Sequence, residues 1–513
     1  MKQFVLALII ILISYLISPG SPVWATDYYV SPIGSDPNPG TLTQPWKTIQ
    51  KGVDTAHTGD TLYVRAGTYH EAIRLRSPGT ANAPIVISGF PGERPVIDGE
   101  YTLPTGTEGA DPNPPYLEFN YNALVSIEES YLIFTGFEVV HSRGRGIRIW
   151  PKDHDTVNNN WVHDCRNACI WALEGDHHLI NDNKIWHSAD FAPYPRSPTV
   201  AVWPGALGIQ YSDYTVAQNN VVYHNWGEGL QALSSAYVTL TNNISYDNMA
   251  VQVYGDHAPY LTIQRNLVYH TGDINFVREW GFSSSCITVA DEPGQGGALG
   301  SNYIIVNNLI KGCSQNISFW NSGLTGTGLR DSLIAYNTLV NAGVGPGKGW
   351  PTGISIDAGV HANTRIWNNL ILQDYDTMAY VTTNPGLSFA NNLWSRIPPP
   401  NVSSSTDVIG DPQLTKSGLT GAGQLTADYF RLLSTSPAID KGVVISEIFA
   451  DFFGRTRGSK PDIGAFEYIS IFNPLDFDQD YDLDLLDLQS LLTHPTLNLI
   501  FDFNRVVWSW GAY

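Results

Sequence analysis

The sequence predicts an all-β chain wound as a single-stranded parallel β-helix, and three observations predict it. An asparagine flanked by short apolar runs recurs at Asn160, Asn183, Asn219, Asn243, Asn266, Asn308, Asn337, Asn369 and Asn392. The steps from 160 to 183, 219 to 243, 243 to 266 and 369 to 392 are 23, 24, 23 and 23 residues, so the chain is a repeat array. Each unit carries three short runs of alternating apolar residues and no helical periodicity, so it buries its apolar side chains only by stacking on copies of itself. Stacked coils lie about 4.8 Å apart, with Val, Ile and Leu filling the bore and Asn forming an amide ladder at one corner. Asparagine suits that corner because it tolerates left-handed backbone angles while its side chain bonds to nearby main chain.

Residues 1–25 read as a secretory signal: Lys2, an apolar run from Phe4 to Ile17, breakers at Pro19 and Pro22, then Val23-Trp24-Ala25 before Thr26. The run is too short to span a membrane, and no later stretch approaches that length. The expected mature protein is exported, extracellular or at the cell surface, monomeric, and not an integral membrane protein. Acidic residues outnumber basic ones 48 to 28, a formal charge of -20, which argues against nucleic acid and anionic membrane as partners. Four cysteines in 513 residues are too few to be the scaffold. Cys286 and Cys313, 27 residues apart, suit a cross-coil disulfide, and Cys165 and Cys169 a tight loop; free buried thiols are the alternative for both.

Residues 26–72 offer a strand, a Pro/Gly loop, an amphipathic helix near Trp46–Ala56 and a strand ending at Gly67-Thr68-Tyr69. They form the lid that covers the open end of the coil, with the β-helix proper over 73–395. The words GDTLYVRAGTYHE and PIVISGFPGERPVIDG resemble the opening of secreted right-handed parallel β-helix proteins, the pectate lyase-like group of lyases and glycosidases. That resemblance implies a right-handed coil and a polysaccharide as partner. Residues 396–468 close the array. Ser436-Pro437-Ala438-Ile439-Asp440 and Asp462-Ile463-Gly464-Ala465-Phe466-Glu467-Tyr468 resemble a choice-of-anchor Q-type closing module, which implies capping or surface display.

The tail, 469–513, carries Asp476, Asp478, Asp480, Asp482, Asp484 and Asp487 at positions 1, 3, 5, 7, 9 and 12 of an EF-hand-type loop. Oxygen ligands at that spacing wrap one Ca²⁺, with Asp476, Asp478, Asp480, Asp482 and Asp487 as the metal set. The loop resembles half of a dockerin, which implies a cohesin-like or cell-surface partner through the tail.

Two coil steps are long, 183 to 219 and 266 to 308, placing insertions at 187–207 and 270–285 on one edge. Such insertions wall a groove and mark the binding face of a solenoid. If Ile147, Ile170, Ile209, Leu230, Val251, Ile287, Ile317 and Ile354 point inward, the outward row is Arg148, Trp171, Gln210, Gln231, Gln252, Thr288, Ser318 and Ser355. Three stacked Gln beside Trp171 suit sugar hydroxyls, and Trp203 and Trp280 on the walls suit stacking on pyranose rings; a Gln ladder that only stabilises the sheet is the alternative. Beyond the row lies an acidic edge of Asp176, Asp213, Asp256, Asp291 and Asp357, with Glu292 beside Asp291. Paired carboxylates suit glycoside hydrolysis, the same cluster suits Ca²⁺ in the groove, and Asp is also a common turn residue. Glu228 falls on the opposite edge with His224 and Trp226, too far from Asp256 for a direct pair. A uronate lyase instead needs cations and a base; between residues 180 and 320 Lys184, Arg196, Arg265, Arg278 and Lys311 are the only Lys or Arg, and Arg278 with His270 is the usable pair. The reading is a polysaccharide hydrolase using Asp256, Asp291, Glu292 and Glu228, with a uronate lyase, or a carbohydrate-binding or display protein without catalysis, as alternatives. His177 and His178 read as turn and surface residues.

Overall fold

A computed structural model describes residues 25–104, 122–189, 204–278, 281–343, 349–374 and 377–468. The residues expected to form the signal, Trp203 and Trp280, and the tail with its aspartates lie outside these. Strands form three parallel sheets of 13, 11 and 13 members, each sheet taking every third strand along the chain. This is the right-handed parallel β-helix that the repeat predicts. By packing the chain divides into two compact units, residues 1–262 with 275–279 and 289–300, and residues 263–274, 280–288 and 301–513.

In the first unit the helix Ile49–Thr55 is capped by Thr48, whose hydroxyl accepts from the Lys51 amide. Glu71 accepts from the amides of Ile49 and Gln50 at 2.7 and 3.0 Å, filling the remaining donors of the first turn. Gly52 lets the helix lie on the sheet: a Cβ there would stand 2.5 Å from the Leu62 side chain. The coils then stack with Ile147 opposite Ile170, Ile170 opposite Leu207, Leu207 opposite Leu230 and Leu230 opposite Val253. All five are fully buried.

The amide ladder runs Asn160, Asn183, Asn220, Asn243, each Nδ2 donating to the next Oδ1 at 3.2, 3.1 and 3.0 Å. Each Oδ1 also accepts a backbone amide of the previous coil, and each Nδ2 also reaches a carbonyl, Val157 for Asn183 and Ile180 for Asn220. Two expectations are corrected. The ladder residue of VAQNNV is Asn220, which makes the step to Asn243 23 residues, and the left-handed residue is the one before it: Asn159, Asp182, Asn219 and Asn242 have φ of 54–56°. A second column stacks six rings on another corner, Tyr131, His154, His177, Tyr214, Tyr237 and Tyr260, with centroids 4.4–5.0 Å apart.

His178 departs from the surface role expected of it. It is buried beside Asp155, whose main-chain amide donates to Nδ1 at 3.3 Å, and Asp155 Oδ2 and His178 Nε2 are both sealed without partners. Burial pushes Asp155 up from 3.8 to about 8 and His178 down from 6.5 to about 4.

In the second unit the ladder runs Asn266, Asn308, Asn337, Asn369, Asn392, with Nδ2 to Oδ1 distances of 3.0–3.1 Å. Cys286 and Cys313 are disulfide-bonded, with Cα atoms 5.3 Å apart; Cys165 and Cys169 are buried free thiols. The closing segment docks through Arg457, which bonds Glu467 at 2.6 Å, Asn307 Oδ1 at 2.8 Å and the Gly464 carbonyl at 3.0 Å, and lies 3.8 Å over Tyr336. No described helix is long and apolar enough to cross a membrane.

Asn220→Ala removes two donated bonds and strips Asn183 of its acceptor, so the urea midpoint should fall by the equivalent of about 1–3 kcal/mol. Asn219→Gly, which keeps the left-handed corner, should stay within about 0.5 kcal/mol. For Asp155, a folded pKa above the unfolded one means stability is intact below about 4 and is lost as pH rises to about 8. Asp155→Asn should therefore match the parent melting temperature at pH 4 and exceed it by a margin that grows up to pH 8.

Candidate active site

The 11-stranded sheet carries the strands expected to floor the groove. Its register places Arg148, Trp171, Gly208, Gln231 and Tyr254 in one outward row, and Leu173, Gln210, Leu233 and Asp256 in the next outward row. The expected stripe of Gln210, Gln231 and Gln252 is therefore not formed. Gly208, not Gln210, stands opposite Gln231, and Tyr254, not Gln252, follows it. Gln252 is fully buried at a corner, where its amide bonds the Asn248 carbonyl at 2.7 Å and accepts the Asn248 amide at 2.9 Å. The error is a slip of two residues at Ile209 and Val251, which preserves the in-out alternation and so leaves no trace in the pattern. In the second unit Ser318 and Ser355 do face one another as expected.

Trp171 does not offer a free face. It packs with Ala168, Leu173 and Trp150, and the Arg145 guanidinium lies 5.1 Å from its ring. Its ring covers Gly208, where a Cβ would fall 2.5 Å from the ring carbons. The acidic edge also divides. Asp176 and Asp213 each hold a main-chain amide of the neighbouring coil, Asp213 N at 2.8 Å and Ala236 N at 2.7 Å, which is the turn role.

Asp256 ends the strand Val253–Asp256 and accepts the Glu292 amide at 2.9 Å and His257 Nδ1 at 2.8 Å. Asp291 accepts the Gly300 amide at 2.7 Å. Tyr254, one row earlier, holds Glu292 Oε1 through its hydroxyl at 2.5 Å. Glu228 is 8% exposed and its Oε2 is sealed without a hydrogen-bond partner. Burial, then the charges of Glu292 and Asp256, push the Glu228 carboxyl well above its ordinary range, while Arg278 pulls it back. As spacing expects, Glu228 precedes the strand Leu230–Leu233 while Asp256 stands level with its far end, at Leu233. Burial raises Asp256 as well, outweighing the hydrogen bonds from His257 and the Glu292 amide. Tyr254 is held well above its usual range by burial and by Asp256 and Glu292. His224 and Trp226 line the Glu228 side, their rings 4.6 and 5.5 Å from Phe276. Tyr254 and His257 are the residues that sequence reasoning missed. Correct register would have found Tyr254, since it stands opposite Gln231.

A family model described as "Periplasmic copper-binding protein (NosD)" matches residues 126–406, 281 of the chain's 513 residues. The chain belongs to the NosD family. A second model, "Pel9A-like, right handed beta helix region", matches residues 28–195 of this NosD-family chain. Pectate lyase PEL9 of Emericella nidulans is 48% identical over 80 residues, 15% of this chain and 20% of that protein. The chain thus spans about one-fifth of that curated relative's length. Among solved structures, the complex of XylC with xylose has a TM-score of 0.57 at 12% identity, covering 86% of this chain and 98% of the other. Pectate lyase Pel9A has a TM-score of 0.51 at 18% identity, covering 86% and 96%. At these identities the two structures establish the fold.

Because the Trp171 ring fills the space above Gly208, Gly208→Ala should lower stability by about 1–3 kcal/mol through overpacking. The measurement is a thermal melt followed by tryptophan emission.

Proposed function

We propose that this chain is an exported polysaccharide hydrolase whose chemistry centres on Glu228 and Glu292. The observation that carries the reading is Glu228, a buried carboxyl with one unpartnered oxygen, set in the field of Glu292, whose own oxygen is held by Tyr254. A carboxyl whose burial favours the protonated form serves as general acid, donating its proton to the glycosidic oxygen as the carbon-oxygen bond breaks. Glu292 serves the anomeric carbon, as nucleophile or as base to the water that replaces the leaving sugar. Asp256 and Asp291, both tied to main-chain amides, position the pair. Gln210, Gln231 and Arg278 supply polar contacts to the sugar.

Lyase chemistry is the weaker reading. The pectate lyase-like region, 28–195, ends before Glu228, so that likeness does not reach the carboxylates. The family's description names copper and the periplasm. One imidazole and two carboxylates at Asp256, His257 and Asp291 fit such an ion chemically, and no step of the hydrolysis runs through it. In the tail, Asp476, Asp478, Asp480, Asp482 and Asp487 would hold Ca²⁺ for attachment or stability.

Incubation with neutral and uronic polysaccharides tests the reading: new reducing ends are expected, and an unsaturated product absorbing in the ultraviolet, or retention without cleavage, would overturn it. Glu228→Gln should lower kcat about 10²–10⁴-fold on natural linkages and far less on substrates with good leaving groups. Parent activity should fall as pH rises through the elevated Glu228 pKa.

A further inference from the structure

The acidic cluster also contains a nitrogen donor placed by the backbone. His257 follows the strand end at Asp256 and has a left-handed φ of 48°. Its Nδ1 lies 2.8 Å from Asp256 Oδ1 and 4.0 Å from Asp291 Oδ1. One donor atom from each of Asp256, His257 and Asp291 lies within 4.8 Å of the others, and all three side chains are buried. Main-chain amides of Glu292 and Gly300 orient the two carboxylates, the supporting contacts that metal ligands require. Outside this triad, Glu228 Oε2 is sealed from solvent with no hydrogen-bond partner. Glu292 and Asp256 are the acidic groups whose charges act on Glu228.

We propose that Asp256, His257 and Asp291 form a binding site for one divalent late first-row transition ion. An all-oxygen cluster would suit Ca²⁺ or Mg²⁺, whereas an imidazole between two carboxylates moves the preference to zinc-like ions. Metal-ligand distances of about 2.0–2.2 Å place tetrahedral donors about 3.4 Å apart. The close His257–Asp256 pair must therefore open by about 0.6 Å and the His257–Asp291 pair must close by a similar amount, both within side-chain reach. Binding through Nδ1 places the proton of the neutral ring on Nε2, a change of tautomer with no net proton released.

The site stands independently of the hydrolytic reading, because its test uses no substrate. The full chain, stripped with chelator, is titrated with Zn²⁺ alone by calorimetry. His257→Gln and Asp291→Asn should each lose one equivalent relative to the parent, and millimolar Ca²⁺ should not displace that equivalent. Unchanged stoichiometry in both variants, or displacement by Ca²⁺, overturns the proposal; ions held elsewhere, as in the tail, cancel in the difference. Should a variant fail to fold, Co²⁺ bound to the parent decides: the strong visible bands of a four- or five-coordinate site with nitrogen support the site, and the weak spectrum of a six-coordinate oxygen site overturns it. Zinc binding without glycosidase activity would remove the hydrolytic reading and leave this one, and cleavage with no lost equivalent would do the reverse.

Discussion

The side-chain amide that completes its hydrogen bonding only against its own copy one coil away governs this structure. In Asn183 and Asn220 the oxygen takes two donors from one neighbouring coil, and the nitrogen gives one bond to the opposite coil's asparagine and one to a carbonyl. No arrangement within a single coil satisfies four such bonds out of reach of water, so one row of the array has one permitted register. Once that row is fixed, the apolar residues of the same coils are set above one another in the bore. The groove floor inherits its spacing from the same constraint.

Much of the fold was readable because its signals are local and repeated. The asparagine corner, the three apolar runs and the capping helix each follow from residues close in sequence. What was lost is register on the third sheet. A shift of two residues leaves alternation unchanged, and the insertion before Leu207 hides the constant spacing by which Ile170, Leu230 and Val253 each follow their ladder asparagine. Gln252 illustrates the result: it reads as an outward strand residue, yet its amide is consumed by Asn248 at the corner. Asn219 fails for a related reason. In an Asn-Asn pair, composition does not say which member takes the left-handed angle and which turns inward.

The candidate site is where the chain departs from the economy of the rest. Elsewhere aspartates at this corner hold a neighbouring amide and nothing more, as Asp176 and Asp213 do. Around Asp256 the same turn residue is joined by His257, Asp291 and Glu292, and the charges of Asp256 and Glu292 act on the buried Glu228. Burying that many acids lowers stability, and the regular coils on which they sit supply the reserve. Reading those acids one at a time favours a turn role for each. Their convergence appears only once coils are superposed in space.

The bond from Asn183 to Asn220 spans 37 residues, while that from Asn220 to Asn243 spans 23, yet their lengths are 3.1 and 3.0 Å. The scaffold is indifferent to how much polypeptide is spent between two rungs. Segments at that edge are therefore interchangeable parts: descent can lengthen, trim or replace them without renegotiating the interior that keeps the acids in place.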